Sequence, residues 1–226
     1  MILAALAAAV AALPPVVAPP TRDTCLTYDG AYAAAPLMTV KPGAREGRVY
    51  LQDKAQPCAP GHSCAFVRKA YLVPGEGVLA SQARAGFRCV YAGSGGRPSA
   101  GFVPDAALAP APAYAPLDAT FLAGRWAEGE DGLTFKLAKG RLVVDGDAVW
   151  PSRAPPKGVP ASRFAPNIGE VVGAVRLAGP RFEVGDVEEE CRVWGYRRGP
   201  YLVVQDNESC GGHNVRFQGL YLRRPG

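Results

Sequence analysis

The chain has 226 residues with 48% hydrophobic side chains, enough apolar material for one or two packed domains. Gly (27) and Pro (22) are abundant but short of low-complexity levels, and the net charge of +5 is too diffuse for the concentrated basic face of a nucleic-acid binder. Beyond its first residues the chain has no apolar run long enough to cross a bilayer, which excludes a multi-span membrane protein.

Residues 1–13, MILAALAAAVAAL, form a short Ala-rich apolar run before Pro14 and Pro15. This suits the hydrophobic part of a secretory signal, and 1–20 is read as a signal peptide although no Lys or Arg precedes the run. Cys25 lacks an apolar lipobox before it, so no lipid anchor and no stable membrane insertion after cleavage are expected. Six cysteines, at 25, 58, 64, 89, 191 and 210, make the even number that a disulfide framework needs, and no Cys-x-x-Cys spacing points to zinc. Six cysteines allow 15 pairings. If the two halves fold separately, Cys191 must pair with Cys210, and the assignment taken for the rest is Cys58 with Cys64 and Cys25 with Cys89. The expected location is periplasmic or secreted.

Further along, Phe87, Cys89 and Tyr91 alternate as one face of a strand. Composition then changes at 106–116, AALAPAPAYAP, where alternating Ala and Pro should make a stiff spacer unable to join a sheet. Residues 109–116 are read as a linker between domains at 25–108 and 117–224. In the second domain Phe135 and Leu137 alternate with Thr134 and Lys136, Ala138-Lys139-Gly140 is a turn, and Leu142 and Val144 follow. Asp145-Gly146 carries a type I′ hairpin signal, with a new strand expected from Ala148 to Trp150. Residues 151–169 hold five Pro and no acid, a long segment read as a loop. Strands follow at 170–177, 181–184, 191–196, 201–205 and 215–223, with Val215, Phe217 and Tyr221 on one face. No segment has convincing helical periodicity, so the fold class is all-β: two small disulfide-stabilised domains.

Three short blocks of the first half carry a family resemblance. Val73-Pro74-Gly75-Glu76-Gly77-Val78-Leu79 looks like a diverging turn and strand, Gly86-Phe87-Arg88-Cys89-Val90 like "G-W-x-x-V" with Phe for Trp, and Gly101-Phe102-Val103-Pro104-Asp105-Ala106-Ala107-Leu108 like "G-W-V-x-x-x-x-L" with the same exchange. Together they resemble the bacterial Src-homology-3-like (SH3b) domain over about 48–108, although the usual opening motif is missing. The resemblance implies a small five-strand barrel packed by two aromatic anchors, an exported cell-envelope protein, and binding of peptidoglycan or peptides. In the second half Gly124-Arg125-Trp126 is similar to the "G-x-W" start of lipocalin-like barrels, and about eight strands suit a meander barrel or a sandwich.

Chemistry is sparse. The two histidines, His62 and His213, accompany no Gly-x-Ser-x-Gly elbow, and every cysteine is better used in a bridge. Asp145 with Asp147 reads as a turn, and Glu188-Glu189-Glu190 as a solvated strand start. No catalytic residue, metal site or cofactor is assigned. Aromatic residues interleave with Arg at 192–198, but the second half is nearly neutral, 15 basic against 14 acidic residues from 117 on, so nucleic acid is not expected as a partner. The expectation is a monomeric, non-enzymatic envelope binding protein for peptidoglycan or a protein partner. The alternatives are an inhibitor that plugs a hydrolase cleft with 151–169 or 207–214, and a hydrolase using His213. Candidate contact residues are Phe87, Tyr91 and Phe102 in the first domain and Arg163, Asn207, His213 and Asn214 in the second.

Overall fold

A computed structural model describes residues 25, 35–43, 47–58, 64–93, 99–150, 165–185 and 190–225. The signal segment, His62, Arg163, Glu188, Glu189 and most of 151–169 lie outside them. The chain is almost entirely β, in two antiparallel sheets.

The first sheet has seven strands rather than five: β1 (Leu37–Val40), β2 (Val49–Gln52), β3 (Val67–Leu72), β4 (Gly77–Ala80), β5 (Phe87–Ala92), β6 (Ser99–Pro104) and β7 (Leu108–Pro110), in the order β3-β2-β6-β5-β4-β1-β7. It curls around Val40, Val49, Leu51, Leu72, Val78, Val90, Val103 and Leu108. β4 and β5 are central strands, and their side chains are buried on both faces. The segment read as a spacer starts later than expected, because Ala109 and Pro110 pair with Thr39 and Met38. β7 is an edge strand, so the N–H that proline lacks is not missed by a neighbour.

After a single helical turn, α1 (Ala119–Leu122), capped by Asp118 Oδ1 accepting from Phe121 N at 2.6 Å, the second sheet contains β8 (Gly124–Glu128), β9 (Asp131–Ala138), β10 (Arg141–Trp150), β11 (Asn167–Ala174), β12 (Arg176–Ala178), β13 (Arg181–Val184), β14 (Val193–Arg198), β15 (Tyr201–Asp206) and β16 (Gly219–Arg223). Each strand pairs with its chain neighbours, and β16 returns to β8. The one seam falls between β11 and β12, which are consecutive in the chain and joined by Val175 alone. Val175 N donates to Leu142 O at 2.8 Å, so the two behave as one bent strand of a nearly closed meander barrel. Trp126, Leu133, Phe135, Phe182, Phe217 and Tyr221 fill the interior, with Phe135 and Phe182 edge to face at 5.2 Å.

Of the two turns expected here, the one at Ala138-Lys139-Gly140 forms and the one at Asp145-Gly146 does not. β10 runs unbroken through Asp145-Gly146, pairing with β9 on one side and β11 on the other. The turn is at Lys139-Gly140, both with positive φ (51° and 77°), as a type I′ turn requires. Gly146 is selected by crowding: a Cβ there would stand 2.5 Å from Leu133 Cδ2, 2.9 Å from Gly132 O and 3.0 Å from Val171 Cγ1. Gly146→Ala is therefore expected to cost about 1–3 kcal/mol through overpacking, measured as a lower urea midpoint. An unchanged midpoint would show that β9 and β11 can move apart there.

All three bridges form as assigned: Cys25–Cys89, Cys58–Cys64 and Cys191–Cys210, with Cα–Cα distances of 5.4, 6.0 and 4.3 Å. Such a framework belongs to an oxidising compartment. Among the described residues no helix is long and apolar enough to cross a membrane.

The two sheets share an apolar contact in which Leu79, Tyr91 and Ala100 meet Tyr201, Val203, Leu220 and Leu222. Tyr201 Oη donates to Gly77 O, and Tyr91 Oη donates to Glu128 Oε1 at 2.8 Å. Gly93 lets the sheets approach, since a Cβ there would overlap Leu222.

Candidate functional site

The three candidate contact residues of the first domain do not face solvent. Phe87 (7% exposed), Tyr91 (3%) and Phe102 (8%) are buried. Phe87 and Phe102 pack with Cys89 against Cys25 and Ala55, while Tyr91 faces the second barrel. The reason is the central position of β5, paired by β4 and β6 and covered on both faces. As contact residues these three are corrected to core and interface residues.

Asn207 is also occupied structurally. Its Oδ1 accepts from Arg192 N at 3.0 Å and its Nδ2 donates to Glu190 O at 2.7 Å, so it clasps the chain leading into β14. The neighbouring Asp206 accepts from Glu208 N and Phe217 N. Together with Cys191–Cys210 these bonds fix the start of the 207–218 connection.

His213 and Asn214 are exposed and stand at one mouth of the second barrel. There β10 ends at Trp150, paired with Asn167 at the start of β11. Trp150 continues the inward series Leu142, Val144, Ala148, but the barrel wall stops and its ring is left 49% exposed, beside exposed Ile168. Asn167 Nδ2 donates to His213 O at 2.7 Å, which holds the 211–214 turn against the mouth. Gly211 bridges Gly169, and a Cβ on Gly211 would lie 2.5 Å from the Gly169 Cα, so this crossing requires glycine. Asn214 takes φ of 66°, a left-handed position that Asn tolerates better than most residues. The mouth thus carries an exposed indole, amides and an imidazole on a stapled loop. Trp150 was missed by the sequence reading; its signal is a large aromatic that ends an alternating strand directly before Pro151.

Electrostatics sharpen at the sheet–sheet contact, next to the same end of the barrel. Burial pushes the Glu128 carboxyl up to about 7, against the lowering effects of Tyr91 Oη and the Leu220 backbone. Burial likewise raises Asp131 to about 6, with Asp147 and Glu130 adding repulsion and the Val149 N–H opposing. Comparison with family models, curated proteins and solved structures returned no match.

Proposed function

We infer that this is a non-enzymatic binding protein exported to the periplasm or cell surface, which recognises the glycan of the cell wall through the mouth of its second barrel. The observation that carries this is the half-exposed Trp150 beside Asn167, His213 and Asn214 on a loop held by Cys191–Cys210. An indole face offers an apolar platform to the C–H face of a sugar ring, and side-chain amides both donate and accept for hydroxyl and N-acetyl groups. Two facts support the reading further. The packed interior of the barrel argues against a carried lipophilic ligand. The six cysteine sulfurs are all spent in bridges, leaving no thiol nucleophile. The resemblance of the first half to Src-homology-3-like envelope domains points the same way.

The test is co-sedimentation of the oxidised protein with peptidoglycan sacculi. Binding should survive physiological salt, where the Debye length is about 8 Å, and Trp150→Ala should weaken it about tenfold, as expected for an aromatic anchor. Absence of binding, or binding lost with salt, overturns the glycan reading. The inhibitor alternative would then lead, because the pre-fixed 207–214 loop would enter a hydrolase cleft at little ordering cost.

A further inference from the structure

The outer face of the second barrel carries a different constellation. On β14, Val193 and Gly195 are buried toward the barrel interior, so Trp194, Tyr196 and Arg198 face outward, with Arg192 preceding them in the same phase. The register sets Glu183 beside Trp194, Arg181 beside Tyr196, Arg176 beside Glu183 and Gln205 beside Trp194. Most of these groups hold one another. Trp194 Nε1 donates to Gln205 Oε1 at 2.9 Å, Arg176 and Arg181 both pair with Glu183, and Arg181 also bonds Tyr196. The Arg198 guanidinium lies 5.7 Å from the centre of the Tyr196 ring.

Arg192 is the exception. Among the described residues its guanidinium has no hydrogen-bond or ion-pair partner; only its backbone is engaged, by Asn207. It lines a pocket of about 160 Å³ with Arg181, Glu183, Val184, Gly185 and Trp194. The pocket therefore offers a planar cation without a partner among the described residues, beside an indole whose orientation is already fixed.

We propose that this pocket binds an acidic saccharide, with its anionic group on Arg192 and its ring against Trp194. A guanidinium presents a fork that matches a carboxylate or sulfate oxygen pair, and its weak hydration makes the exchange of water for ligand cheap. Outward side chains on one strand recur about every 6.8 Å, so Arg192, Trp194, Tyr196 and Arg198 form a row about 20 Å long, suited to several linked sugars. Single-stranded nucleic acid is disfavoured by compartment and charge: three disulfides suit an oxidising compartment, and the second half is nearly neutral, 15 basic against 14 acidic residues from 117 on. This proposal is independent of the barrel mouth.

The experiment is calorimetric titration of the full oxidised chain with four probes: a heparin-derived hexasaccharide, a galacturonic acid hexamer, the neutral hexamer of N-acetylglucosamine, and hexathymidylate. An acidic hexasaccharide should bind at least tenfold more tightly than the neutral one. The galacturonate arm shows whether carboxylate suffices; binding confined to the heparin fragment assigns the anion as sulfate. Arg192→Ala and Trp194→Ala should each weaken that binding about tenfold with an unchanged melting temperature, while Arg192→Lys recovers only part of the loss. Trp150→Ala should leave it intact, which separates this site from the mouth. Equal binding of neutral and acidic sugars, tighter binding of hexathymidylate, or full affinity in a folded Arg192→Ala variant would overturn the proposal.

Discussion

Trp126→Ala is expected to destabilise the protein by about 3–5 kcal/mol, the range for removing a large aromatic from a packed core. Trp126 is fully buried, its Nε1 donates to Leu122 O at 2.8 Å, and its ring meets Phe121 at 4.9 Å and the Arg223 guanidinium at 4.7 Å. It also sits where the barrel closes. The β8–β16 ladder rests on two register pairs, Leu222 with Ala127 and Arg223 with Trp126. Arg223 in turn donates to the carbonyls of Phe121 and Ala123, so the same residue joins α1, β8 and β16. Total stabilities of about 5–15 kcal/mol are usual, so the variant should be at the margin of folding. Urea unfolding followed by circular dichroism measures the loss. Trp126→Phe, which keeps most of the ring volume but frees Leu122 O, should lose much less. A loss below about 1 kcal/mol in Trp126→Ala would mean that the interior collapses to fill the space.

Stability should fall as pH rises from about 4.5 to about 7, by about 3 kcal/mol, because of Glu128. The residue is 9% exposed, between the two sheets. One carboxyl oxygen receives the Tyr91 hydroxyl and the other has no hydrogen-bond partner among the described residues. The carboxyl keeps its proton up to about 7 in the folded chain, against 4.5 for an unperturbed group. Across that interval the folded state binds one proton more than the unfolded state, so each pH unit lowers the unfolding free energy. The contribution is fully present below about 4.5 and fully lost above about 7. Asp131, raised to about 6, acts with the same sign. Glu128→Gln, which cannot ionise, should flatten most of the slope in urea midpoints measured from pH 4.5 to pH 8. A wild-type profile that rises with pH across this window would refute the assignment.

Much of the architecture could be read from the residues. Alternation located β5 and β9, and short apolar runs between Gly, Pro or Asp-rich breaks located β13 to β15. The bridges followed from the separation of Cys191 and Cys210 from the other four cysteines. The errors share a cause, which is that local sequence does not report what lies across the sheet. Asp145-Gly146 has hairpin chemistry, but Gly146 is glycine because Leu133 and Val171 close in from both sides. Phe87, Cys89 and Tyr91 alternate as one face of a strand, and nothing local reports that β5 is covered on both faces or that Phe102 of β6 is buried against Phe87. The candidate site was legible in part: His213 and Asn214 were identified, but Trp150 gains its role from register with Asn167, across a loop that the sequence leaves unplaced. Glu128 could not have been found, since its burial depends on Tyr91 arriving from the other sheet.

The connectivity of the bridges bears on how the chain matures. Cys58–Cys64 is nested within the span closed by Cys25–Cys89, and Cys191–Cys210 stands outside both. A chain threaded across a membrane amino terminus first presents Cys25, then Cys58, to whatever oxidant waits on the far side. Joining thiols in order of arrival would link those two and strand Cys64 with Cys89. Order-of-arrival pairing therefore does not give the native bridges of the first half, which form only by delay or by thiol–disulfide exchange. The second sheet carries just two cysteines, so no alternative pairing arises within it.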